Sequence, residues 1–193
     1  MFHQELPPFK SFVGQLLIAM PEMEDKRFHH TVIYITHHSQ TEGASGLIIN
    51  QPTDKMTCQE ILDQLKMPYK EDIVFPKVLI GGPDHRMQGF ILHTPEVQYP
   101  ETQKITDTIS LTTTQEILGQ IAQGNRPQKY QVAVGCASWA PSQMEEEIMG
   151  NLWLSVPATN DILFDEPYDK RWEKAMQLLG ICPAHFAPKA GKA

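Results

Sequence analysis

The sequence is short of the residues that usually announce a chemistry. Its three cysteines, Cys58, Cys136 and Cys182, are an odd number without a C-x-x-C spacing. That suits a reducing compartment better than a disulfide framework. Basic clusters are missing too: Lys26-Arg27 and Lys170-Arg171 are only pairs, in a chain of formal charge -7 and pI near 5.6. The average surface therefore repels phosphate backbones and anionic bilayers, and no helix has the Arg, Lys and Asn needed to read a DNA groove. Direct nucleic-acid binding is not expected. The opening MFHQELPPFK lacks the charged-then-apolar pattern of a signal peptide, and the apolar run at residues 16–20 is too short to span a bilayer. The expectation is a cytoplasmic protein without membrane attachment.

Motif absences narrow the chemistry further. There is no H-E-x-x-H, no G-x-S-x-G elbow and no Ser-His-Asp order, and Gly81-Gly82-Pro83 lacks the later Gly and Lys of a P-loop. No metal and no cofactor is expected. His29-His30 and His37-His38 flank one apolar segment and lie too far apart along a strand to share an ion.

What is present describes a folded core. With 193 residues, 41% of them hydrophobic, the chain can close one core, and residues 1–181 read as a single α+β domain. Residues 182–193, rich in Ala, Pro and Lys, read as a mobile tail. Short apolar runs at residues 15–19, 31–36, 46–49, 77–80, 89–93, 130–134 and 152–156 have strand character, and a weak edge strand is expected around Ile109. Three S/T-x-x-E patterns, Thr57 to Glu60, Thr113 to Glu116 and Ser142 to Glu145, predict capped helix starts. A last helix is expected at residues 169–179, with Trp172, Ala175, Met176 and Leu179 on one side. Strands come early and helices singly, so the prediction is a mixed sheet of the α+β class.

The most heavily specified stretch is residues 134–154, VGCASWAPSQMEEEIMGNLWL. Gly135 frees the backbone after an apolar strand, Ala137 and Ser138 are small, and Trp139 carries a large amphipathic ring. The reading is a tight turn between a strand and a helix. Taken with LLIAMPEMEDKRFHHTVIYI, GLIINQP, IGGPD, and the FD and RW of Phe164, Asp165, Arg171 and Trp172, this stretch resembles the YqgE/AlgH family of bacterial proteins. The likeness runs in order from about residue 11 to residue 180. It implies a mixed, branched sheet curled into a pseudo-barrel with single helices packed around it. It implies no defined reaction, although some members are described as transcriptional regulators. Cys136, Ser138 and Asp84 depart from the residues usual in the family.

Two functions follow from these residues. The first is a cytosolic regulatory or binding domain, monomeric or weakly associating, that acts through a protein partner or small ligand, with any effect on transcription indirect. Its expected site is a concave surface where three turns converge: Asn50 and Pro52, then Gly81, Gly82 and Pro83, then Gly135 and Trp139. A partly exposed Trp139 would mark recognition, and a buried one a core plug. The alternative is an enzyme using Cys136 as a thiol nucleophile with His85 or His93. Against it stand Glu145, Glu146 and Glu147, which offset the positive helix end that would activate the thiol.

Overall fold

The structure, a computed structural model, describes residues 9–181. Strands β1 (Gln15–Ala19), β2 (Val32–Ser39) and β3 (Gly43–Ile48) form an antiparallel meander. In the other half β5 (Asp84–His93) pairs with β7 (Ser110–Thr112), which carries the two-residue β6 (Gln103–Lys104). The ten-residue β8 (Tyr130–Trp139) joins the halves, and β9 (Trp153–Pro157) adds to β1. The order is β6-β7-β5-β8-β3-β2-β1-β9, all antiparallel and curled into a half-barrel. The remaining strand, β4 (Val78–Ile80), runs parallel to β8 off that path. The mixed, branched sheet is thus observed as expected.

Burial on both faces explains why the early strands read as unbroken apolar runs. Leu16, Ile18, Val32 and Tyr34 share one cluster with Trp172, Ala175 and Met176 of α4 (Arg171–Leu178). Leu17, Ala19, Ile33 and Ile35 fill the opposite face with Trp139, Trp153 and Met144 of α3 (Gln143–Met149). Each such Leu or Ile contributes about 1.5–3 kcal/mol relative to exposure. A third cluster joins β5 and β8 to α1 (Cys58–Gln64) and α2 (Gln115–Ala122).

Of the three predicted capping boxes only the first forms: Thr57 Oγ1 accepts from the Glu60 amide at 3.2 Å, while the Thr57 amide donates to Glu60 Oε2 at 2.8 Å. In α2 the cap falls on Thr114, one residue later than expected, and its side chain makes no capping bond. Ser142 precedes α3 with φ of 67°, a left-handed conformation, and also makes no capping bond. Side-chain capping needs an extended backbone. Here the chain turns sharply after β8, and Gln143 supplies the local bonds instead: its Oε1 accepts from the Ala140 amide at 2.9 Å.

Residues 135–139 are not the expected turn but the second half of β8. At Gly135, with φ of +75°, β8 leaves β4 behind and takes up β3, pairing Ala137, Ser138 and Trp139 with Gly46, Ser45 and Ala44. Across the sheet, β5 bulges at the same place: Asp84 faces Cys136 while Gly89 faces Val134. Glycine at such a bend is an ordinary bulge residue, so turn-like composition here serves a continuous strand. β5 likewise begins at Asp84 rather than Gly89, and β2 runs on through His37 and His38, which pair with Ser45 and Ala44 of β3. The expected tail at residues 182–193, with Cys182, lies outside the described residues, as does most of the N-terminal lead-in.

Candidate functional site

The three predicted stretches do meet. The Ile48 amide donates to Gly81 O at 2.8 Å, the Gly81 amide to Val134 O at 2.8 Å, and the Ile80 amide to Gln51 O at 2.9 Å, with Pro52 bridged to Leu79. A Cβ on Gly81 would collide with the Gly135 carbonyl, and one on Gly82 with the Cys136 backbone. These glycines are where two backbones touch. Asn50 is equally committed: its Oδ1 accepts from the Val32 amide and its Nδ2 donates to His30 O, each at 2.8 Å. Its amide holds the start of β2 to the end of β3.

Trp139 proves to be a core plug, only 6% exposed, and not the partly exposed ring of a recognition surface. Its Nε1 donates to Glu147 Oε2 at 2.8 Å, and Trp153 Nε1 donates to the same oxygen at 2.8 Å. Gln143 Nε2 donates to the other oxygen at 2.9 Å. Glu147 thereby seats two edge-to-face indoles whose centroids are 6.1 Å apart. Amphipathic rings buried against a core need such an acceptor for their N–H groups.

Pro83 and Arg27 form a ridge between two hollows. The first is a cleft of about 420 Å³ whose floor includes Trp139, Trp153 and Phe28 and whose polar lining includes Asp84, Ser138 and Glu147. Glu24 and Asp25 add acidity at the rim, and the Arg27 guanidinium, hydrogen-bonded to Asp25, holds that carboxyl below its ordinary range. The second hollow, about 340 Å³, has only Gly82 and Pro83 from the predicted site, with Gln51 beside them, and is mainly apolar.

Among the described residues no histidine is hydrogen-bonded to the thiol candidate. Cys136 is 4% exposed, and burial pushes its thiol up, with the Asp84 charge adding to the rise and a contact to Ser138 Oγ at 3.8 Å opposing it. Helix α3 starts only at Gln143, so its N-terminal amides are not at this thiol. His93 pairs with Tyr130, six residues along β8 from Cys136, roughly 20 Å at strand rise. It is fully buried, bonded to Thr94 O at 2.8 Å and Thr112 Oγ1 at 2.9 Å. His85 lies exposed in the β5 bulge.

The paired histidines have separate duties. His38 Nδ1 accepts from the Phe12 amide at 3.0 Å, which leaves the proton on Nε2, 2.9 Å from Glu145 Oε1. His30 lies against Trp172 at 4.5 Å between ring centroids. Among the described residues no group of three or more His, Cys, Asp or Glu is placed to hold a metal ion. No helix among them is long and apolar enough to cross a membrane.

Sequence reasoning missed Arg171. It is 1% exposed, donating Nη1 to Ile49 O at 2.6 Å and Nε to Glu166 O at 2.9 Å, with its guanidinium 4.5 Å from the Tyr168 ring centroid. Burial lowers it to about 10. A charged residue at a helix start reads as exposed, so only the family-like Arg-Trp pair pointed to it. With Trp172 Nε1 donating to Ala19 O at 2.8 Å, it fastens α4 to the end of β1 and to the chain just after β3.

Comparison with known proteins gives a consistent result. The model of a family described as DUF179, AlgH-like, matches residues 16–184. A UPF0301 protein of Pasteurella multocida is 47% identical over 178 residues, covering 91% of this chain and 95% of that one. The solution structure of the AlgH protein from Pseudomonas aeruginosa superposes with a TM-score of 0.75 at 34% identity, covering 98% of this chain and 100% of that chain. A Corynebacterium diphtheriae protein at 20% identity, with a TM-score of 0.69 and 90% of each chain covered, shares the fold.

Proposed function

Because this chain belongs to the AlgH-like family, we propose that it is a cytosolic binding or regulatory domain whose partner or small ligand seats in the cleft beside Pro83. Any effect on transcription is then indirect. The observation that supports this reading is the cleft itself: a cavity of about 420 Å³ with Phe28 and Leu152, Asp84, Ser138 and Glu147 in its lining, closed beneath by the buried Trp139 and Trp153, which serve as core and not as the recognition surface. Its size lies within the usual range for ligand pockets, and it combines apolar surface with a few placed polar groups. The floor is preorganised, since both indoles are held by one carboxylate, and a rigid site loses less freedom on binding. In this reading residues 1–181 act as one domain, monomeric or weakly associating.

Retention experiments test it. The protein and its Ser138→Trp variant, which adds bulk at an exposed position of the cleft lining, are used to capture partners and small molecules from native lysate. A species identified by mass spectrometry should be retained by the first and lost by the second, with unchanged circular dichroism. Equal retention by both refutes the cleft, and tight sequence-specific DNA binding at physiological salt refutes the indirect role. The thiol alternative predicts fast alkylation of Cys136, whereas a buried thiol with a raised pKa alkylates more slowly than free cysteine.

A further inference from the structure

On the far side of the Arg27–Pro83 ridge three hollows run into one another, because Arg86 lines all three and Met56 and Val134 line two of them. The central one, about 320 Å³, lies between α1 and α2 with Ile61, Leu65 and Leu118 on its walls and Ile91 and Val132 beneath. Although the chain carries a formal charge of -7, no Asp or Glu among the described residues lines any of the three. Glu116, in the first turn of α2, is not among the lining residues.

Two polar groups in this lining have capacity to spare. Arg86 donates Nε to Pro83 O at 2.9 Å and makes no ion pair among the described residues. Its guanidinium has further N–H donors suited to a planar anion. The Thr114 hydroxyl is buried without a partner among the described residues. Gly89 lines the same hollow, and an added Cβ there would meet nothing within 4 Å. A strand glycine with open space above it leaves room for a ligand to approach the sheet closely.

We propose that this groove binds a small anionic amphiphile, its apolar chain lying over Gly89 between α1 and α2 and its single carboxylate or equivalent head paired with Arg86. The apolar lining gains from removing a chain from water. The charge pattern selects the head group: a cation would face Arg86 with no carboxylate in the lining to offset it. This goes beyond the cleft reading and does not depend on it, since Met56, Arg86 and Gly89 do not line the cleft.

The test uses the full chain titrated with laurate and dodecyltrimethylammonium below their micelle concentrations and with dodecanol below its solubility limit, followed by calorimetry and amide chemical shifts. Laurate should bind saturably at one site, with the alcohol and the ammonium weaker by about tenfold or more. Arg86→Glu, an exposed change, should weaken laurate by about tenfold or more. Gly89→Leu should abolish binding while leaving Tm unchanged or raised, because its side chain enters open space. Absence of saturable laurate binding, equal affinity for the ammonium, or undiminished binding by Arg86→Glu overturns the proposal. So does a concentration-dependent dimer that Gly89→Leu dissociates, which would assign the groove to a second copy of the chain.

Discussion

The cleft and the groove share one ridge but are built in opposite ways. Beside the cleft, glycine allows contact: without side chains at Gly82 and Gly135, the segment leading into β5 presses its backbone against β8, and the indoles under the cleft are bonded to Glu147. In the groove, glycine leaves an opening, since Gly89 has nothing above it. The same residue type therefore closes one region and opens the other. What differs is whether the neighbouring strand fills the space that the missing Cβ vacates.

The largest expected effect contrasts those two kinds of glycine. In Gly135→Ala the new Cβ would lie 2.6 Å from Gly82 O and 2.9 Å from Asp84 O at a φ of +75°, which should cost roughly 3 kcal/mol or more in urea unfolding. Gly89→Ala should instead be neutral or stabilising by about 0.5 kcal/mol. Equal costs at both positions would show that local backbone preference, not contact, governs the junction. Next comes Glu147→Leu, which leaves two indole N–H groups without their acceptor and should cost about 2–4 kcal/mol. Arg86→Leu, exposed in the groove lining, should change stability by no more than about 0.5 kcal/mol.

A smaller effect separates the halves by pH. Burial holds the His93 imidazole below its ordinary 6.5 in the folded protein, the Thr94 carbonyl bond opposing it. A folded pKa below the unfolded one means that the unfolded state binds the proton more readily. The stability this contributes is present above 6.5 and is lost as pH falls through 6.5 toward the folded value. His93→Gln should flatten that part of the stability profile. His30, also lowered by partial burial and by its neighbour His29, is exposed and should contribute less, as paired pH titrations of His30→Gln and His93→Gln would show. Small changes are also expected at the turn leaving the cleft. Ser142→Gly should stabilise by roughly 0.5–1 kcal/mol by relieving a left-handed φ. Ser142→Ala, which removes no capping bond, should be near neutral in the same unfolding assay.

By itself the sequence determined what depends on neighbours along the chain. The runs QLLIA and VIYIT read as buried strands, T-C-Q-E could cap a helix in place, and the glycines of residues 81–82 and 135 read as backbone-permissive turn positions, whose close backbone contacts appeared only in the fold. The net acidity was equally legible, as was the cluster of polar and turn-forming residues that became the junction. Tertiary structure decided the rest. Residues 135–139 looked like a turn because composition cannot show that β8 has a second partner waiting in β3. Trp139 was ambiguous until Trp153 and Glu147 enclosed it. Arg171 carried no local sign of burial, since the Ile49 carbonyl it bonds lies 122 residues away. The groove had no signature at all, because an opening is defined by what several distant segments fail to fill: α1, α2 and β5 leave Gly89 uncovered only once all three are in place.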